Sequence, residues 1–265
     1  RLGEPALASL GRGPDLAAWE ALRAQCARRG IVMLAPEDAG FPPPLAALPA
    51  PPPLLYVRGS WTAADANAVA LVGTRSPTAY GREAALALAR EAAAAGRTVV
   101  SGLALGIDAA AHAGALAGGG RTLAVIGCGL DVPYPAEHLP LREEIEARGA
   151  VFSEYPPGTV GWPGNFPQRN RLVSALAQAV IVVEAGARSG ALHTVEHARK
   201  QGRAVYAVPG SIFSAASEGT RLLLRAGVPP LASLAELDSG AAGAASPRMG
   251  PGGAPAAASR VPRRH

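Results

Sequence analysis

Three turns in this chain gather guanidinium and hydroxyl groups directly behind short apolar runs. The first reads Gly73-Thr74-Arg75-Ser76. The second lies around Phe166-Pro-Gln-Arg169-Asn170-Arg171, and the third reads Arg188-Ser189-Gly190 with Thr194 one turn on. Hydroxyls and backbone amides ahead of a helix donate to anions, and the planar fork of arginine matches a phosphate. A phenylalanine beside arginines adds a stacking surface, which contributes about 1–3 kcal/mol per nucleobase. A single small phosphate does not need three such seats, whereas a polyanionic chain does.

A fourth turn, Ser101-Gly102-Leu-Ala-Leu-Gly106-Ile-Asp108, supplies backbone and no cation. Gly102 and Gly106 allow close approach of the main chain, and Asp108 is expected to cap the helix that follows. His112, one turn on, is expected to pack.

Other chemistries fit less well. There is no GxGxxG fingerprint and no Walker spacing with its lysine, which disfavours dinucleotides and nucleoside triphosphates. His193-Thr-Val-Glu196-His197 matches an inverted zincin pattern. Two free positions in five make that match common by chance, and zinc needs a third ligand placed by the fold. Neither a metal nor a cofactor is therefore expected. Cys128 follows Gly127 without a convincing base nearby, so a reactive thiol is not expected either.

These turns need a frame. The apolar runs predict strands at Ala68–Val72, Thr98–Ser101, Thr122–Ile126, Ala150–Ser153, Ala179–Val183 and Ala204–Val208. Helix patterns alternate with them at Arg82–Ala95, Ile107–Leu116, Leu139–Arg148, Asn170–Ala177 and Gly190–Gln201, with a last helix at Glu218–Ala226. The strands lack clear alternation, as expected when both faces are covered. The fold class is α/β: an extended Rossmann-like, doubly wound, mostly parallel sheet, whose ligand site belongs at the carboxyl ends of the strands.

Residues 1–60 read as a partial N-terminal helical region with a Pro-rich linker. Asp15 to Arg29 is a helix with Asp15 as N-cap, Phe41-Pro-Pro-Pro forces an extended path, and Leu54–Val57 is a strand. Residues 61–238 form the main domain. Residues 239–265, rich in Ala, Gly and Pro, have too little apolar bulk to order and read as a disordered tail.

The 265 residues can bury a full core. A net charge of +5, with Lys200 the only lysine, favours an acidic partner, nucleic acid first. Part of that charge sits in the tail, at Arg260, Arg263 and Arg264. Two cysteines, Cys26 and Cys128, make no disulfide framework. No apolar run of about 20 residues is long enough to span a bilayer. No signal peptide is visible, although the chain begins at Arg1, and a cytoplasmic setting is expected.

Taken in order, the turns resemble the DNA-processing protein A family (DprA, also called Smf). The resemblance rests on Val72-Gly-Thr-Arg75, Tyr80-Gly81, Ser101-Gly102-Leu103, Gly106-Ile-Asp108, Tyr134-Pro135, Ser153-Glu-Tyr155, Phe166-Pro with Arg169-Asn-Arg171, Arg188-Ser-Gly190 and Glu218-Gly219, within residues 31 to 230. It implies a non-enzymatic protein that binds single-stranded DNA, forms a homodimer, and loads the RecA recombinase during natural transformation. The implied DNA pocket comprises Gly73, Thr74, Arg75, Ser76, Gly102, Phe166, Arg169, Asn170, Ser189, Gly190 and Thr194. Arg171 and Arg188 join it by charge.

This chain departs from the family pattern at Ala136, His138, Trp162-Pro163-Gly164, His193 and Thr220-Arg221, where Arg221 is a candidate substitute charge. Leu222, Leu223 and Leu224 make the last helix a candidate dimer surface. The rival reading is a nucleotide phosphoribohydrolase similar to the cytokinin-activating LOG proteins. Thr194-Val-Glu196 echoes the end of their turn, but the Pro-Gly-Gly opening is missing. A protein-interaction scaffold with vestigial anion sites is the third reading.

Overall fold

The computed structural model describes residues 15–238. The expected tail at 239–265 lies outside the described residues. Eight strands form one sheet: β1 (Val32–Leu34), β2 (Leu55–Gly59), β3 (Ala68–Gly73), β4 (Thr98–Ser101), β5 (Thr122–Val125), β6 (Ala150–Ser153), β7 (Ala179–Glu184) and β8 (Ala204–Ala207). Their order is β1-β2-β6-β5-β4-β3-β7-β8. Strands β3 to β8 run parallel, while β2 joins β6 and β1 joins β2 antiparallel. The expected α/β class with a mostly parallel, Rossmann-like sheet is the one observed.

Nine α-helices are assigned among the described residues: α1 (Leu16–Arg28), α2 (Pro43–Ala46), α3 (Ala79–Ala94), α4 (Ile107–Ala117), α5 (Leu139–Arg148), α6 (Asn165–Ala175), α7 (Ala191–Lys200), α8 (Glu218–Arg225) and α9 (Ala235–Asp238). None is long and apolar enough to cross a membrane. The helices cover both faces of the sheet, and strand β3 shows why it lacks a polar face. Val69 and Leu71 pack with Leu88 of α3 and Ile107 of α4. Their neighbours Ala70 and Val72 point the other way, onto Leu172 of α6 and Val195 of α7. A third cluster joins Cys26 of α1, Tyr56 of β2 and Ile145 of α5.

The leading region differs from expectation in three ways. The sheet continues across residue 60, because β2 pairs with β6 from Tyr56↔Ser153 to Gly59↔Ala150. Strand β1, between Gly30 and Pro36, is too short to show a period. The prolines after Phe41 do not stay extended: Pro43 and Pro44 take the first helical positions of α2, where a missing amide costs nothing, and Leu45 is buried. Asp15 does cap α1, its side chain accepting from the Ala18 amide at 3.0 Å.

Candidate nucleic-acid interface

From β3 the chain winds one way through β4, β5 and β6, then crosses back to place β7 and β8 on the other side of β3. The crevice outside the ends of β3 and β7 is thus the switch point of the sheet, where open α/β folds hold ligands. A cavity of about 740 Å³ opens there. Its wall includes Gly73, Thr74, Arg75, Gly102, Phe166, Arg169, Asn170, Arg188, Ser189, Gly190 and Thr194. Loops separated by more than a hundred residues of sequence therefore meet at one surface. Ser76 and Arg171 are not part of it.

The turn that carries Arg75 is pinned on both sides. The Thr74 amide donates to the Glu184 carbonyl at the end of β7 (2.7 Å), and the Ile107 amide of α4 donates to the Thr74 carbonyl (3.1 Å). Gly106, at φ +84°, is needed here, because a Cβ would collide with the Thr74 and Arg75 backbone. Arg75 itself is exposed, and its guanidinium carbon lies 5.2 Å from the centroid of the Phe166 ring.

Free amides at the start of α3 were expected to serve this turn. Instead Glu184 accepts from both the amide and the hydroxyl of Thr78, each at 2.8 Å, and Thr78 caps α3 through the Gly81 amide. The protein's own buried carboxylate fills that seat, and Arg75 is left as the anion donor of the turn.

Arg169 is a different kind of arginine. It is 4% exposed, and its Nη1 donates to the carbonyls of Gly102 (2.8 Å) and Val125, while Nε donates to Asn170 Oδ1 (3.2 Å). Asp108 does not cap α4 as expected. Its Oδ2 accepts from the amides of Gly102 (3.1 Å) and Ala104 (3.3 Å), so Asp108 and Arg169 grip the 102–104 loop from opposite polarities. Burial pushes the Asp108 carboxyl up, with Arg169 pulling against it, and burial pushes the Arg169 guanidinium down, with Asp108 opposing. Arg169 is a charged floor to the cavity, held by backbone carbonyls. Helix α6 begins at Asn165 and not Asn170, because Pro167 suits a first turn, and this places Phe166 on the helix instead of in a loop.

Arg171 sits two residues beyond Arg169 and so faces away from it on the helix. It donates to the Ala50 carbonyl (2.8 Å) and pairs with Glu154. Its expected part in an anion site is replaced by this internal ion pair. On the opposite wall Arg188 is exposed, Ser189 accepts from the Ala191 amide (3.3 Å), and Thr194 is buried. Asn170 Nδ2 ties this wall to α6 through the Gly190 carbonyl (3.3 Å).

Tyr134 also lines the cavity, stacked on Phe166 with centroids 5.4 Å apart and rings tilted by 32°. It came to notice in the sequence only as part of Tyr134-Pro135, since its loop carries no local pattern that places it beside Phe166.

The remaining candidates take other roles, and His193 lines the cavity. His197 Nε2 lies 3.3 Å from the Pro167 carbonyl, and exposed His193 and Glu196 are 3.8 Å apart. Among the described residues no group of His, Cys, Asp or Glu is arranged to hold a metal. His112 is fully buried, with Nδ1 2.6 Å from Thr122 Oγ1. Cys128 is buried, and burial pushes its thiol up, away from a reactive thiolate. Arg221 does not supply a charge to the cavity, since it donates to the Ser211 carbonyl (3.1 Å) and to that of Ile212.

A family model described as DNA recombination-mediator protein A matches residues 32–238. A putative DNA processing protein DprA of Mycobacterium tuberculosis (strain ATCC 25618 / H37Rv) is 52% identical over 161 residues, which are 61% of this chain and 41% of that protein. Protein Smf of Synechocystis sp. is 43% identical over 182 residues, 67% of this chain and 46% of that one. The chain thus spans less than half the length of either relative. The X-ray structure of DNA processing protein A from Streptococcus pneumoniae superposes with a TM-score of 0.76 at 36% identity, covering 82% of this chain and 77% of that one. The Helicobacter pylori protein, whose structure is described as giving insight into its single-stranded DNA binding mode, gives 0.68 at 34%, covering 75% and 89%.

Proposed function

This chain belongs to the DNA recombination-mediator protein A family, and from that premise we propose that it binds single-stranded DNA without cutting it or modifying it. In this reading it protects the incoming strand as a cytoplasmic homodimer and loads RecA onto it during natural transformation. One observation carries the proposal. Arg75, Arg169 and Arg188, from two loops and helix α6, line one cavity together with the aromatic pair Phe166 and Tyr134.

That combination suits an alternating ligand. Arg75 and Arg188 take phosphates, Phe166 takes the face of a base, and Arg169 holds the potential of the floor positive. Ser189, Gly190 and Thr194 donate further to the backbone, and Gly102, bare of a side chain, leaves room for the Arg169 guanidinium. The likeness to a relative described by its single-stranded DNA binding mode supports this assignment.

The test is a mobility shift with single-stranded and double-stranded oligonucleotides at two salt concentrations. The expected outcome is a single-strand complex that weakens steeply with salt, and a double strand bound more poorly. Equal affinity for both, or release of free base from nucleoside monophosphates, would overturn the proposal. RecA capture on protein-coated strands, compared with bare strands, tests the loading step.

A further inference from the structure

The loop that leads into α6 differs chemically from the other walls of the cavity. From Tyr155 to Gln168 it carries no Asp, Glu, Lys, Arg or His, so it offers the phosphates of a strand no cation. What it offers instead is aromatic surface. Gly161 and Pro163 line the cavity, and a Cβ at Gly161 would lie 3.1 Å from Phe166 Cζ and 3.7 Å from Tyr134 Cδ1. Trp162 stands between those two residues in the chain but is not part of the lining. Its indole lies outside the mouth, and the residue is 65% exposed.

The backbone under this ring is fixed on both sides. Ahead of it, the Gly129 amide donates to the Thr159 carbonyl (2.8 Å), and the Gly158 amide donates to Asp131 Oδ1 (2.7 Å). Behind it, the Asn165 amide donates to the Trp162 carbonyl (3.0 Å), and Asn165 Nδ2 donates to the Gly127 carbonyl (3.0 Å). Helix α6 starts at that asparagine. Only the two torsions of the Trp162 side chain remain to be frozen, so the ring presents a large contact area at low entropic cost. An apolar surface of this size, left in water on a fixed support, marks a site of interaction.

Its place selects the occupant. A polyanion longer than the cavity must leave over one of the walls. Beside Arg75 or Arg188 the next phosphate meets a cation. Over the 155–168 loop the group that finds a complement is a base, since every base has a π-face and the wall has no charge. An acidic peptide gains nothing there. Resting on the single-strand reading above, we infer that Trp162 is a stacking platform outside the cavity. It takes the face of the nucleotide next to those that the cavity holds, and so lengthens the bound segment on that side.

Fluorescence anisotropy with oligothymidylates of increasing length tests this. Trp162 is exposed, so Trp162→Ala leaves the core intact. The variant is expected to match the native protein on the shortest strands that bind, and to hold longer ones about tenfold more weakly. The salt slope should be unchanged, since a lost stack releases no counterions. Trp162→Phe keeps a ring and should recover most of the loss. Long strands should quench the tryptophan emission of the native protein and leave that of Trp162→Phe largely unchanged. Native affinity of Trp162→Ala for long strands would overturn the platform. So would an equal loss on the shortest strands, which would make Trp162 a support of the cavity wall. Should the alanine variant fail to fold, emission still decides. Equal quenching in the native and Trp162→Phe proteins would trace it to Trp19 or Trp61 and overturn the proposal. Failure of the native protein to bind any single strand would instead remove the function proposed above.

Discussion

The guanidinium of Arg75 rests over the ring of Phe166, 5.2 Å from its centroid, although 91 positions separate the two residues in the chain. A cation over an aromatic face is attracted by the ring quadrupole, by about 0.5–1 kcal/mol at an exposed site. The contact holds a flexible side chain at the cavity mouth before a ligand arrives, which lowers the entropy lost on binding. Charge and stacking surface are thereby delivered as one unit.

Arg75→Ala is expected to weaken single-strand binding for all sequences alike and to lower the slope of log affinity against log salt by about 1. Arg75→Lys should retain most of the slope and lose affinity, because lysine offers a point charge without the planar fork. A filter-binding titration over several salt concentrations checks both. An unchanged slope in the alanine variant would remove Arg75 from the interface.

Arg169 should fail differently. Arg169→Met leaves the carbonyls of Gly102 and Val125 without their donor and Asp108 buried without its cation. Leaving buried acceptors without their donor costs about 1–3 kcal/mol per group. Equilibrium denaturation is expected to show that loss in the absence of any DNA. A variant of native stability that binds DNA poorly would instead make Arg169 a direct phosphate ligand.

Most of the frame was legible because buried parallel strands are short apolar runs punctuated by glycine. Thr98–Ser101 and Ala150–Ser153 have the expected bounds, and β3 extends the expected run by Gly73 alone. What the pattern could not carry was the partner of each polar group. Arg169 and Arg171 look equivalent on paper, yet two residues of helical rotation send one to the cavity floor and the other to Glu154. Glu184 ends an apolar strand and gives no local sign that it holds Thr78, the helix cap 106 positions earlier. Such pairings are tertiary, and no window of sequence contains them.

His112 makes stability depend on pH. Burial, reinforced by His138 and Arg169, pushes its imidazole down to about 3. The unfolded chain therefore binds a proton that the folded one refuses, so stability is full above about pH 6.5 and falls as pH drops towards 3. The expected loss between pH 7 and pH 5 is about 2 kcal/mol. His112→Phe, which leaves Thr122 donating to the Val99 carbonyl at 2.8 Å, should flatten that part of the profile in denaturant melts at each pH. An equally steep profile in the variant would assign the dependence elsewhere.

The last helix offers two leucines with opposite fates. Leu223 is buried against the core and Leu224 is partly packed on it, whereas Leu222 is 48% exposed, in the helix whose Arg221 holds the loop carrying exposed Ile212 and Phe213. Leu223 is therefore not available to the candidate dimer surface, and an arginine there would test folding and not association. If α8 forms the homodimer surface, Leu222→Arg should yield folded monomers by light scattering with an unchanged melting temperature for the protomer. Leu223→Arg should lower stability by several kcal/mol, because it forces a charge into an apolar cluster. Dimers that persist in Leu222→Arg, and in a second variant with Phe213→Asp added, would place the subunit contact on another face of the molecule.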